Sequence, residues 1–359
     1  MLEDVMAALC NRLLLALLSL CLVPWAGADD GFIDPLDRPA SQVGNLLGAQ
    51  FNAITTAGER LVAVGARGLI AVSDDAGSSW KQMASPVSSD LLAVYFPIPA
   101  EGWAVGHEGV VLHSCDRGKT WTKQLDGREA ATLLQEHFEQ RMAGGDSNAA
   151  SYLDGVRLNY QDGPEQALMG VWFADAKVGY VAGTFGTLLA THDGGKTWES
   201  WMERVDNPEL LHYLGISGYG NELFLSSERG IVYRLNPRSG RFETLETGYS
   251  GSFFSIKARP GAVIAVGLQG SAYRTLDQGA TWVAMPTGIS VALSDLQVAE
   301  EGRFIASSVD GRVLQSDVQL KAFKVVPGSR PGRFTSLVAL PKGQAVTVGY
   351  SGVRQVALQ

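Results

Sequence analysis

The chain has 359 residues, 46% of them hydrophobic and 18% charged, which is enough apolar material for a core and too little charge for a disordered chain. A formal net charge of −8 argues against a polyanion such as nucleic acid as partner. The 42 glycines, against 14 prolines, require many tight turns.

The amino terminus reads as an export signal. Leu13–Val23 is an apolar run with Arg12 before it and Pro24 after it, and Ala26-Gly27-Ala28 forms an A-x-A cleavage site. The run is too short for a permanent span. Glu3 and Asp4 are out of place in such a leader, and a start at Met6 would remove both. Leu20 stands where a lipoprotein signal would put a small residue before Cys21. Cleavage after Ala28 is therefore expected, giving a soluble periplasmic, lumenal or secreted chain, peripheral to a membrane at most. Glu3, Asp4 and Arg12 leave with residues 1–28, so the mature net charge becomes −7. Cys10 and Cys21 leave too, so Cys115 alone remains and no internal disulfide forms.

From there on a single domain, 29–359, is built on one repeat. An apolar strand is followed by a small residue, two variable residues, a glycine, a second strand, a polar turn and Trp. WAVGHEGVVLHSCDRGKTW from Trp103 is one copy, and YVAGTFGTLLATHDGGKTW from Tyr180 is another. The second glycine of the marker falls at Gly68, Gly109, Gly186, Gly230, Gly270, Gly311 and Gly352, with gaps of 41, 77, 44, 40, 41 and 41 residues. That period is the length of a four-stranded propeller blade. The fold predicted is all-β: a seven-bladed β-propeller of four-stranded blades, with a helical insertion between blades 2 and 3. In blade 2 the strands are expected at Leu91–Phe96, Gly102–Gly106, Val110–Ser114 and Thr120–Gln124. The last repeat ends after three strands, and the segment around Phe32–Ala40 is the expected donor of the missing outer strand.

Four repeats carry S/T-x-D-x-G-x-S/T-W, an Asp box: Asp75 with Trp80, Asp116 with Trp121, Asp193 with Trp198, and Asp277 with Trp282. The aspartate is expected to accept bonds from turn amides, and each Trp to tuck between blades. Metal ligation or acid catalysis is the competing role, but a tight turn accounts for the motif. Among His107, His113, His137, His192 and His212 no metal-ligand spacing appears, and no cofactor motif is present, so neither metal nor cofactor is expected.

The loops between strands 2 and 3 of each blade should share one face. They carry Arg67, His107, Glu108, Phe185, Glu228, Arg229, Gln269, Asp310 and Tyr350, a mixed ring of charge and aromatics around the channel mouth. These are the candidate partner-binding residues, solvated turns being the alternative. The insertion, 126–167, opens with a capping box, Asp126 to Glu129, and continues with Ala130, Leu133, Leu134, Phe138, Arg141 and Met142 at helical spacing. Gly144-Gly145 ends that helix, and a second should run from Asp146 or Ser147 through Leu158. The insertion reads as a flap offering Phe138 to a partner, or as a hairpin packed on blade 2.

The leader, the seven repeats and the VGxxGxIxxSxDxGxTW pattern resemble the photosystem II assembly and stability factor family and similar bacterial BNR-repeat proteins, over roughly residues 40–359. The resemblance implies a non-enzymatic lumenal or periplasmic protein that binds other proteins and assists or scaffolds the assembly of a membrane or envelope complex. Photosynthetic members carry an arginine-rich patch. Here the nearest positions are Arg67, Arg229, Arg312 and Arg333, in an acidic chain without a lipoprotein signal. A sialidase-like glycoside hydrolase or glycan-binding propeller is the alternative, since those also use Asp boxes. Tyr350, Glu228 and Arg229 would be its candidates, but no three-arginine set and no catalytic constellation appear.

Overall fold

The apolar run that opens each repeat becomes the second strand of a blade, and the run preceding it becomes the strand nearest the centre. The computed structural model describes residues 31–328 and 332–358; the expected signal peptide and its cleavage site lie outside them. The chain from Pro35 onward forms one compact unit of seven antiparallel sheets, six with four strands and the last with three, each strand paired with the next in sequence. Blade 2 runs Leu91–Tyr95, Gly102–Gly106, Val111–Ser114 and Thr122–Leu125, within two residues of expectation. The seven inner strands are Phe51–Ala57, Leu91–Tyr95, Leu168–Phe173, Tyr213–Tyr219, Phe253–Arg259, Leu293–Val298 and Phe334–Leu340. Each lies beside the next, and the seventh lies beside the first, so the ring closes.

The second strands are nearly solid apolar runs because both of their faces are covered by neighbouring blades. Ala262–Gly267 is buried at every position. Between blades the aromatics interlock: Trp103 of blade 2 stacks on Phe173 of blade 3 with ring centres 3.6 Å apart. Trp198 meets the same Phe173 edge-on, where the repeat's Trp was expected.

Every inner strand slips register after its first residue. Phe51 pairs with Gly65 but Ala53 pairs with Val64, and the same step recurs in all seven blades. The extra residue is a β-bulge, which re-aims one side chain per blade.

The expected strand exchange does not occur. Blade 7 keeps three strands, Phe334–Leu340, Gln344–Gly349 and Gly352–Ala357. Residues 35–43 run instead beside the outer strand and following loop of blade 1, where Ser88 N donates to Pro35 O at 2.8 Å and Gln82 Nε2 to Ser41 O at 2.8 Å. Closure reuses the contact between ordinary neighbours. Gly68, at φ +71°, sits so tightly on the lead-in to blade 2 that a Cβ would lie 2.0 Å from Val87 O; Gly352, at φ +80°, sits on Leu47 O in the same way, with 1.9 Å. Val87 and Leu47 each lie four residues before the next inner strand. Thr335 Oγ1 also donates to Phe51 O at 2.9 Å across the seam.

The insertion forms two helices, α1 (Gly127–Ala143) and α2 (Ala149–Asn159). Asp126 caps α1 and Glu129 returns the bond to the Asp126 N–H, completing the capping box. Ala130, Leu134 and Phe138 of α1 and Leu153 and Val156 of α2 join Trp103, Leu125, Trp198 and Met202 in one core, so the hairpin is bound to blades 2 and 3.

Candidate functional site

The marker glycine requires a particular turn, and the turn fixes what each blade displays. The residue before it is left-handed in five blades: Arg67 (φ 54°), Glu108 (57°), Phe185 (52°), Arg229 (56°) and Gln269 (56°). A non-glycine residue there is strained by about 1–2 kcal/mol. The strain is held by bonds from the chain leading into the following blade. Arg67 N donates to Asp90 Oδ1 at 2.7 Å, and Phe185 N to His212 Nδ1 at 2.8 Å. In the neutral ring this leaves the His212 proton on Nε2.

Three of the expected residues share a cleft of about 500 Å³. Phe185, Glu228 and Arg229 line it with Glu209, Leu210, His212 and Leu268. The Phe185 and His212 rings meet edge-on at 4.8 Å, His212 N donates to Glu228 Oε2 at 2.9 Å, and Arg229 is paired with Glu209. Phe185 and Leu268 remain 39% and 40% exposed, so the cleft presents an apolar lip beside a neutralised ion pair. Sequence reasoning missed Glu209, Leu210 and His212. Their signal was weak, because the lead-in segments vary between repeats where the marker turns do not.

The other expected residues are spread around the same face. Arg67 and His107 are exposed, and the Glu108 carboxylate accepts from Ser89 Oγ. Gln269 shares a separate cleft with Arg312, and Asp310 holds Arg312 at 2.5 Å. That guanidinium keeps the Asp310 carboxyl below the usual range. Tyr350, 58% exposed, stands at the channel mouth with Arg333. Tyr350 is thus in a different cavity from Glu228 and Arg229, and the hydrolase candidates do not assemble. The four arginines likewise stay dispersed, Arg229 and Arg312 each already paired with a carboxylate. Phe138 is corrected. It is fully buried and stacks on Tyr152 of α2 at 5.0 Å, because the i, i+4 stripe Ala130, Leu134, Phe138 is the side of α1 that faces the blades.

The Asp boxes fill the opposite face, as the meander requires. Ser79 Oγ donates to Asp75 Oδ2 at 2.6 Å and Ser79 N to Oδ1 at 2.8 Å, while Gly77 N donates to Ser73 Oγ at 2.9 Å. Asp116, Asp193 and Asp277 accept the same set. Both oxygens of each carboxylate accept bonds within the turn, which accounts for the motif structurally. Trp80 and Trp121 each donate to the carbonyl of the box glycine, at 3.1 and 3.0 Å.

The channel itself is a cavity of about 620 Å³ lined by the bulge residues and those that follow them. Blades 2–5 contribute an apolar arc of Leu92, Met169, Leu214 and Phe254. Blades 6, 7 and 1 contribute Ser294, Thr335 and Asn52 at the same level. One residue further on, Ser255, Asp295 and Ser336 face the small residues Ala53, Ala93, Gly170 and Gly215. Asp295 accepts from Ser336 Oγ at 2.6 Å, Ser255 Oγ at 3.0 Å and Leu296 N at 2.7 Å. Lys257 lies deeper. Among the described residues no helix is long and apolar enough to cross a membrane.

The family model described as photosynthesis system II assembly factor YCF48 matches residues 44–132 and 151–318. Its unmatched interval, 133–150, falls within the helical flap. A photosystem II assembly protein Ycf48 of Synechococcus sp. (strain JA-2-3B'a(2-13)) is 25% identical over 260 residues, spanning 58% of this chain and 76% of that protein. A photosystem II assembly lipoprotein Ycf48 of Synechococcus sp. (strain CC9902) is 26% identical over 247 residues, spanning 63% of this chain and 72% of that protein. The solved structure of YCF48 bound to D1 peptide superposes with a TM-score of 0.63 at 15% identity, covering 90% of this chain and all (100%) of that one. YCF48 from Cyanidioschyzon merolae gives a TM-score of 0.61 at 16% identity, covering 89% and 98%. At those identities the two structures establish the shared fold.

Proposed function

The chain belongs to the photosynthesis system II assembly factor YCF48 family, and on that premise we propose that it is an exported, non-enzymatic propeller that binds a polypeptide segment of a membrane complex during assembly, photosystem II being the client for which its relatives are named. The observation that carries the reading is the 2–3 loop face. Repeated left-handed turns hold variable side chains outward, and Phe185, Leu268, His212, Glu228 and Arg229 shape a cleft there with an apolar lip. Aromatic side chains beside arginine are the usual anchors of a protein interface. A relative solved with a D1 peptide supports a peptide segment as the ligand. Relatives named as lipoproteins support an exported location for this chain too; removal of the leader after Ala28 rests on the Ala26-Gly27-Ala28 site alone.

The test is a crosslinked pull-down from solubilised membranes of the source organism, with wild-type protein, the double variant Phe185→Ala/Arg229→Glu, and Lys119→Glu on the Asp-box face. Recovery of one membrane complex by wild type and Lys119→Glu, reduced at least fivefold with the double variant, is the expected result. Equal recovery by all three, or a purified protein that cleaves a sialoside, would overturn the assignment.

A further inference from the structure

We propose that the central channel is a binding site for a carboxylate with an apolar body, anchored by Lys257. The inference does not rest on the client assignment; it comes from the lumen alone.

Lys257 is the cation of the lumen wall below the rim, where Arg333 stands. Its side chain is half-buried and lines the lumen. Asp295 is the one lining carboxylate, and it is already supplied by two hydroxyls and a backbone amide. It attracts Lys257 as a nearby charge, but the hydrogen bonds it accepts come from other groups. The ammonium therefore holds three donors with no protein acceptor among the described residues. Burial lowers its proton affinity below that of an ordinary lysine, with Asp295 acting against the shift. Asp295 offsets part of the cost of holding this cation in the lumen, and a ligand anion that takes its free donors offsets more.

The rest of the lumen defines the body of the ligand. Leu92, Met169, Leu214 and Phe254 form a continuous apolar arc, and about 620 Å³ is a usual volume for a small-molecule site. A single ammonium suits a monoanion. A phosphate group would call for a bidentate guanidinium or a run of amides at that depth. The matching chemistry is a monocarboxylate on an aliphatic or aromatic frame. It has two sources: a free acid, or the terminal carboxylate of an apolar peptide.

Isothermal titration of the purified chain separates them. Decanoate is compared with decanol, and an apolar pentapeptide with a free terminus is compared with its amide. Binding of at least one acid, at least tenfold tighter than its neutral counterpart, is expected, and the pair that shows it identifies the source. Lys257→Met should remove the difference within that pair and leave the neutral ligand unaffected. Lys257→Arg keeps the charge and should keep the preference, which guards against a variant that merely folds poorly. Asp295→Asn, by removing the opposing charge, should tighten acid binding. Equal affinity for acid and neutral ligands, no binding of either acid, or an undiminished preference in Lys257→Met would each overturn the proposal.

Discussion

At the scale of single residues, the Asp box shows one carboxylate organising a turn. Asp75 and Asp277 are held down to about 2 first by the hydroxyls of Ser79 and Thr281, and Asp193 to about 2 first by the Thr197 amide. A carboxyl whose folded value lies below its unfolded value of about 3.9 stabilises the fold above that pH and loses the contribution as pH falls toward the folded value. The urea midpoint of the protein should therefore stay flat above about pH 5 and fall between about 4 and 2. Replacing Asp75, Asp193 and Asp277 by Asn together should lower the midpoint at pH 7 and shrink the fall between pH 4 and 2. An acid-induced fall as steep as in wild type would show that the boxes are not its source. These aspartates were legible in the sequence because the whole motif is local, eight residues whose bonds close on themselves. Lys257 was not legible as a lumen residue. Its neighbours across the channel lie some 40 to 200 positions away, and only the bulge register places them together.

At the scale of elements, the flap is a hairpin fixed at its root by charge. Lys123 Nζ reaches Asp126 at 2.8 Å, and Arg128 bridges Asp126 at 2.7 Å and Asp37 at 2.8 Å, tying α1 to the segment that runs along blade 1. Burial alone would raise the Asp126 carboxyl; the bonds from Arg128 and Lys123 override it and hold the group well below the usual carboxylate range. Asp126→Ala removes the cap at a cost of about 0.5–2 kcal/mol and leaves two cations with one anchor fewer. Hydrogen exchange should accelerate in the first turn of α1, over 127–131, while the inner strands keep their protection. Unchanged exchange there would mean that blade packing alone sets the helix. The capping box could be read from the spacing of Asp126 and Glu129. The position of Phe138 could not, because an amphipathic stripe says that a face is covered without saying by what. The covering surface here is assembled from Trp103, Leu125 and Trp198, on two different blades.

At the scale of the whole molecule, the period made the blade count legible, and at Gly68, Gly230, Gly270 and Gly352 the marker glycine meets the same crowding, a backbone carbonyl of the next lead-in. Closure was not legible, because a three-stranded last repeat suggests a borrowed strand on grounds of edge protection alone. The structure closes the ring through Gly352 on Leu47, the same contact that joins Gly68 to Val87, and this can be tested against a matched control. Gly352 has φ +80° and Gly145 φ +90°, so alanine is strained at both. Around Gly145 nothing lies within 4 Å, whereas a Cβ on Gly352 would lie 1.9 Å from a backbone carbonyl that cannot move without shifting the lead-in to blade 1. Gly145→Ala should therefore cost about 1–2 kcal/mol, lowering Tm by about 2–8 °C. Gly352→Ala should lower Tm at least twice as far and accelerate exchange on both sides of the seam, at 46–53 and at 334–337. If the two variants melt alike, strain at one residue is all that Gly352 relieves, and the seam must be held elsewhere, by the bonds of Thr335 and Ser336 to blade 1. If they differ as expected, the ring is closed by a repeated backbone contact between first and last blade, which needs no exchanged strand.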